Sequence, residues 1–219
     1  CPTGTLTPEQ EKHILGIQAN LWTEYIPTYR HVEYMLMPRI AALAEVQWSS
    51  PENKNYEDFL TRLPQLVEIY DMEQYNYATH VFDITAKMTP DTQEEVLKVS
   101  LKTIDNSPIH YTLDGTEPNE KSALYTDTLK INQSCTIQAI AVRPTGNSRI
   151  FREQVNIHLA SFKPITMQQP VNRQYAFDGP NTLLDGLKGN HNYKTGRWIA
   201  FFRNDMEAVI DMKEPTEIS

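Results

Sequence analysis

Two cysteines, Cys1 and Cys135, in 219 residues are too few for a disulfide framework. They fall in different parts of the chain, and neither has a partner at metal or redox spacing, so both are expected to be unpaired thiols. The six histidines are scattered. No His-Glu-x-x-His or similar arrangement exists, which argues against a sequence-encoded zinc site. Basic residues number 20 against 28 acidic ones, a formal net charge of -8. Without a basic stripe to neutralise phosphates, nucleic acid is excluded as a partner. No apolar run nears the length that a bilayer-spanning helix requires. The first residues carry no charged-then-apolar leader. An ordered Asp-x-Asp-x-Asp-Gly calcium loop is also lacking. What is there, 40% hydrophobic and 10% aromatic, is the composition of a globular chain. Its length suits one large or two small domains.

The most informative stretch begins at Gly16. Ile17, Ala19 and Leu21 alternate with Gln18, Asn20, Trp22 and Glu24, the two-residue period of a strand with one apolar and one polar face. The spacing predicts a strand over residues 14–24. An apolar outer face and a polar inner face that ends in Trp-x-Glu suits a barrel strand leading to a pocket. The indole offers a flat apolar surface and the carboxylate offers acceptors for hydroxyls, which together match a pyranose ring. Val32, Met35, Leu36, Ile40, Leu43 and Val46 then predict a helix over residues 31–48, which either restarts or kinks at Pro38. A second helix follows through Phe59, Leu60, Leu63, Leu66, Val67 and Tyr70, with Pro64 as a flaw.

Trp22-Thr23-Glu24 and the Pro38-Arg39…Ala44-Glu45…Trp48 helix closely resemble the last strand and helix of the family-twenty glycoside hydrolases, the β-N-acetylhexosaminidases. The resemblance implies that Trp22 forms a wall of the terminal-sugar pocket. It implies that Glu24 accepts hydrogen bonds from the hydroxyls on carbons four and six of N-acetylglucosamine. Reading the residues alone, both side chains filling a barrel interior is the alternative, weakened by the cost of burying an unpaired carboxylate. The family cleaves with help from the substrate's acetamide, assisted by an adjacent Asp-Glu pair several strands before Trp-x-Glu. No Asp-Glu dipeptide precedes Glu24 here. The pair is therefore expected upstream, with no catalytic residue in this chain.

After about residue 77 short β-rich runs separated by turns take over. Ile109 to Pro118, with Asp114-Gly115 as a turn, and residues 136–142 resemble the small β-sandwich that follows the barrel in chitobiases. Asp114, Glu117 and Glu120 read as a solvated turn rather than a carboxylate cluster. Asn132-Gln133-Ser134 is formally a glycosylation sequon. From about residue 162, Leu183-Leu184-Asp185-Gly186 and Gly196-Arg197-Trp198 resemble the opening of a discoidin-like jelly-roll module. That resemblance makes Asp185 a candidate calcium ligand, with an ordinary turn cap as the equal alternative. Trp198 reads as a core residue at the start of a buried strand, with a sugar-stacking platform as its alternative.

The expected architecture is multidomain, α/β plus all-β. Residues 1–77 are the last β/α unit of a (β/α)8 barrel. Residues 78–161 are an immunoglobulin-like β-sandwich, and residues 162–219 a truncated discoidin-like carbohydrate-binding module. The resemblance implies part of an exo-acting, retaining β-N-acetylhexosaminidase acting on N-acetylhexosamine-terminated oligosaccharides or glycoconjugates. No cofactor is required, with calcium possible in the last module. A periplasmic, cell-surface or secreted setting is expected. This chain alone is expected to be inactive, and a non-catalytic carbohydrate-binding or spacer segment is the other reading.

Overall fold

A computed structural model describes residues 6–144 and 146–217. The chain forms two compact units that divide between Val81 and Phe82. Cys1 lies outside the described residues, and Cys135 is a free, half-buried thiol.

The first unit is helical. Pro8–Glu11 (α1) is closed by a reciprocal cap between Thr7 and Gln10. Residues 14–22 follow as irregular chain, so the strand expected over residues 14–24 does not form. The reason is the want of a neighbour. A strand is held by hydrogen bonds to an adjacent strand, and residues 6–81 contain no other. Local alternation survives nonetheless: Gln18 donates to Asn20 at 3.0 Å, as side chains two apart on an extended backbone should. The amide of Gln47 also ties this segment down by donating to the Ile17 carbonyl at 2.5 Å.

Tyr29–Leu36 (α2) starts at Thr28, whose hydroxyl accepts from the His31 N–H. It stops before Pro38, and the helix restarts as Arg39–Trp48 (α3), with a cis Met37–Pro38 peptide at the break. Of the two outcomes at Pro38, restart is the one observed. Arg39 turns back and donates to the carbonyls of Tyr34 and Met35, satisfying acceptors that α2 leaves open at its end. Tyr56–Met72 (α4) is capped by Asn55 and buries Leu60, Leu63, Val67 and Tyr70, the expected stripe, despite Pro64. Arg62 on α4 holds Glu45 on α3 at 2.7 Å. On α3, by contrast, no residue is fully buried, and Ile40, Val46 and Trp48 face solvent.

The second unit opens with two antiparallel sheets. Thr85–Asp91 (β1), Val96–Lys102 (β2) and Leu129–Ile131 (β5) form one, in the order β1-β2-β5. Ile109–Thr112 (β3), Ala123–Leu124 (β4), Cys135–Ala141 (β6) and Phe151–Val155 (β7) form the other, in the order β4-β3-β6-β7. Their inner faces share one core, with Leu97 and Val99 from the first sheet against Ile137, Ala139 and Val155 from the second. Alternate residues of β2, namely Leu97, Val99 and Leu101, point into it, while Lys98 and Lys102 point out. Gly115 follows β3 with φ +82°, the left-handed conformation that the Asp-Gly pair anticipates. The Asp114 carboxylate accepts from the Thr116 N–H and hydroxyl, so the acidic turn is solvated and locally bonded.

Residues 162–217 hold one small sheet, Ile165–Met167 (β8) with Ala208–Ile210 (β9), and three short 3-10 helices. The strand expected to follow Trp198 is absent; residues 198–200 are irregular. Trp198 is not a core residue either, being 44% exposed. It lies flat on Gly189, where an added Cβ would meet the indole at 2.3 Å, and its Nε1–H donates to the Asn190 carbonyl. This segment leans on the sheets. Phe162 enters their core, Leu187 bridges to Val155, and Lys163 and Lys213 both hold Glu95.

Candidate functional sites

Trp22 ends the irregular stretch and is 73% exposed. Glu24 is exposed in a turn closed by the Ile26 N–H donating to the Thr23 carbonyl at 3.0 Å. It makes no hydrogen bond or ion pair among the described residues. An indole open to solvent beside an unengaged carboxylate leaves stacking surface and acceptors free for a hydroxylated ring. Tyr25 and Tyr29 stand exposed beside them, just ahead of α2. Their signal was present in the sequence as aromatic density around Glu24, but without a pattern to give them a role.

Asp185 is 6% exposed, the most buried carboxylate among the described residues. Its Oδ1 accepts from the Leu187 N–H at 2.7 Å, the bond of a turn-capping aspartate. Burial pushes its carboxyl up to about 6, and the nearby Asp178 charge adds to the rise, against the pull of Leu187 and Arg197. It lines a cavity of about 470 Å³ together with Asp178, Glu153, Arg197 and Phe177. Arg197 grips both carboxylate oxygens of Glu153, at 2.9 and 2.5 Å. Sequence reading missed this group, because Glu153 lies on β7 and Arg197 lies 44 positions further along. Among the described residues no group of three or more His, Cys, Asp or Glu converges in a way that could hold a metal ion. No helix among them is long and apolar enough to cross a membrane.

Residues 2–51 match the model for the catalytic domain of glycosyl hydrolase family 20. That interval contains Trp22, Glu24 and the whole of α2 and α3. The start of the chain is thus similar to family 20 sequence. Residues 99–155 match a second model, Fn3 associated, which covers most of the two-sheet core. A beta-hexosaminidase of Porphyromonas gingivalis is 31% identical over 147 residues, 64% of this chain and 18% of that protein. A beta-N-acetylhexosaminidase of Cellulomonas fimi is 36% identical over 58 residues, 26% of this chain and 12% of that protein. A beta-hexosaminidase of Akkermansia muciniphila is 34% identical over 71 residues, 32% of this chain and 14% of that protein. The chain thus spans less than a fifth of the length of each of these relatives. The resemblance carried by Trp22, Glu24 and the helix to Trp48 is borne out, and the β-sheets that follow are compatible with the family reading.

Proposed function

We propose that this chain is part of an exo-acting β-N-acetylhexosaminidase that removes terminal β-linked N-acetylglucosamine or N-acetylgalactosamine from oligosaccharides or glycoconjugates. The observation that carries the reading is the family 20 match across a segment in which Trp22 and Glu24 stand solvent-open and unengaged. In the complete enzyme Trp22 stacks on the terminal sugar, and Glu24 accepts hydrogen bonds from its hydroxyls. Two charge-assisted bonds of this kind contribute about 1.5–3 kcal/mol each. The substrate's own acetamide opens the glycosidic bond with retention, assisted by an Asp-Glu pair supplied from sequence before Trp22.

The finer architecture belongs to the same reading. Residues 1–77 form the last β/α unit of a (β/α)8 barrel, and the 14–24 segment becomes its strand once neighbouring strands pair with it. Residues 78–161 are a chitobiase-type, immunoglobulin-like sandwich, and residues 162–219 the opening of a discoidin-like module. The protein acts outside the cytoplasm, in the periplasm, at the cell surface or secreted.

Hydrolysis of a chromogenic β-N-acetylglucosaminide, with this chain and the full-length protein side by side, tests the proposal. The full-length protein is expected to turn over and this chain to be inert. No turnover by correctly folded full-length protein would overturn the proposal, and turnover by this chain alone would overturn the placement of the catalytic pair.

A further inference from the structure

Seven tyrosines lie between residues 6 and 81, and five of them are used by the fold. Tyr34 meets His80, Tyr56 stacks on Phe59, and Tyr70 packs against Tyr75 and Tyr77. The side chains of Tyr25 and Tyr29 have no ring contact or hydrogen bond among the described residues, and they are 90% and 75% exposed. Both stand next to the pair on which the proposed function turns. Glu24 and Tyr25 are the two central residues of the turn that the Ile26 N–H closes onto the Thr23 carbonyl, so both side chains leave from its tip. Ile26 is half-buried behind them. Thr28 then caps α2, which fixes Tyr29 on the first turn of that helix.

In a (β/α)8 barrel the pocket is built from the strand ends and the loops that follow them, so residues further along a strand-to-helix turn stand nearer the mouth. An exo-acting enzyme takes the terminal sugar deepest and leaves the rest of the glycan pointing outward. We infer that Tyr25 is the stacking platform for the second sugar, the one on the leaving side of the scissile bond, and that Tyr29 extends that platform. A phenol ring supplies a flat apolar face at little entropic cost, since only two side-chain torsions are fixed, and its hydroxyl stays wet. This role rests on the hexosaminidase reading and narrows its substrates. Glycans with a pyranose ring on the leaving side are favoured over an N-acetylhexosamine attached to a flexible chain.

Steady-state kinetics of the full-length protein on diacetylchitobiose and on methyl β-N-acetylglucosaminide test it, because the two share a terminal sugar and differ in having a ring or a methyl group on the leaving side. Tyr25→Ala is expected to lower kcat/KM on the disaccharide by about tenfold while leaving the methyl glycoside within about twofold of the parent. Tyr25→Phe, which keeps the ring, is expected to match the parent on both. Tyr29→Ala is expected to act in the same direction by about threefold. Equal losses on both substrates would make Tyr25 a structural or terminal-sugar residue and overturn the inference. So would unchanged turnover of the disaccharide by Tyr25→Ala, or a Tyr25→Ala protein that no longer folds. A folded parent protein inert on both glycosides is instead a failure of the hexosaminidase reading, and this role falls with it.

Discussion

Arg143 holds Asp105 by two hydrogen bonds, Nε to Oδ2 at 2.6 Å and Nη2 to Oδ1 at 2.9 Å, and both side chains are only 12% exposed. Ser107 donates to the same carboxylate at 2.7 Å, and Arg143 also donates to the Phe82 carbonyl. The start of the two-sheet unit is thereby fastened to the loop after β2 and to the end of β6. Burial alone would raise the Asp105 carboxyl, but the bonds from Arg143 and Ser107 outweigh it and hold it below the usual carboxylate range.

Breaking that pair should be expensive. Arg143→Met leaves a desolvated carboxylate behind, and a loss of about 3–5 kcal/mol is expected in chemical denaturation. Because the folded carboxyl titrates below its unfolded value, the pair's contribution is complete above about pH 5 and fades as the medium is acidified. A denaturation midpoint within experimental error of the parent at pH 7 would rule out a stabilising role.

Asp185 behaves in the opposite sense. Its carboxyl is raised to about 6, so the folded state holds its proton more tightly than the unfolded state does. Stability from this group is present below about pH 4 and is lost as the pH rises through 6. Asp185→Asn should therefore stabilise the chain by roughly 2–3 kcal/mol at pH 7.5, with the difference vanishing near pH 4. A pH-independent difference between the two proteins would refute this.

On the proposed function, Glu24→Gln in the full-length protein is expected to lower kcat/KM by about one to four powers of ten. Trp22→Ala should lower it through lost stacking while changing stability by less than about 0.5 kcal/mol, because the indole is already open to solvent. Steady-state kinetics and a melting curve on the same preparations separate the two effects. Unchanged kinetics for Glu24→Gln would remove that residue from the site.

Gly189→Ala places a methyl into the face of Trp198. The indole is displaced and its bond to the Asn190 carbonyl is lost, with an expected cost of about 1–3 kcal/mol. A shift of the tryptophan emission maximum would report the movement, and an unchanged spectrum and melting point would contradict it.

Some of this was legible from the residues alone. The stripe from Leu60 to Tyr70 read as a helix because its spacing closes on one face, whatever lies opposite. Residues 136–142 likewise read as part of a β-rich run, but not as a strand buried on both faces, which β6 is over residues 137–141. Residues 14–24 carry an equally clear period of two, yet alternation specifies only a face, and the hydrogen bonds that make a strand come from another segment. Asp185 was visible as a turn residue. Its charge environment was not, since Glu153, Asp178 and Arg197 come together only through the packing of residues 162–217 onto β7. Trp198 misled because Trp-x-x-Phe has the apolar content of a buried strand, whereas Gly189 offers it a flat resting place near the surface.

Phe162 is the eleventh-hour arrival in the sandwich interior: its ring is 2% exposed among Leu97, Ile137 and Val155, and its N–H donates to the Leu184 carbonyl. The final segment is thus a stopper for the hydrophobic compartment ahead of it, as well as an appendage to it. A protease that nicked the chain just before Phe162 would uncork those sheets, and the shortened remnant would be expected to present greasy surface and clump.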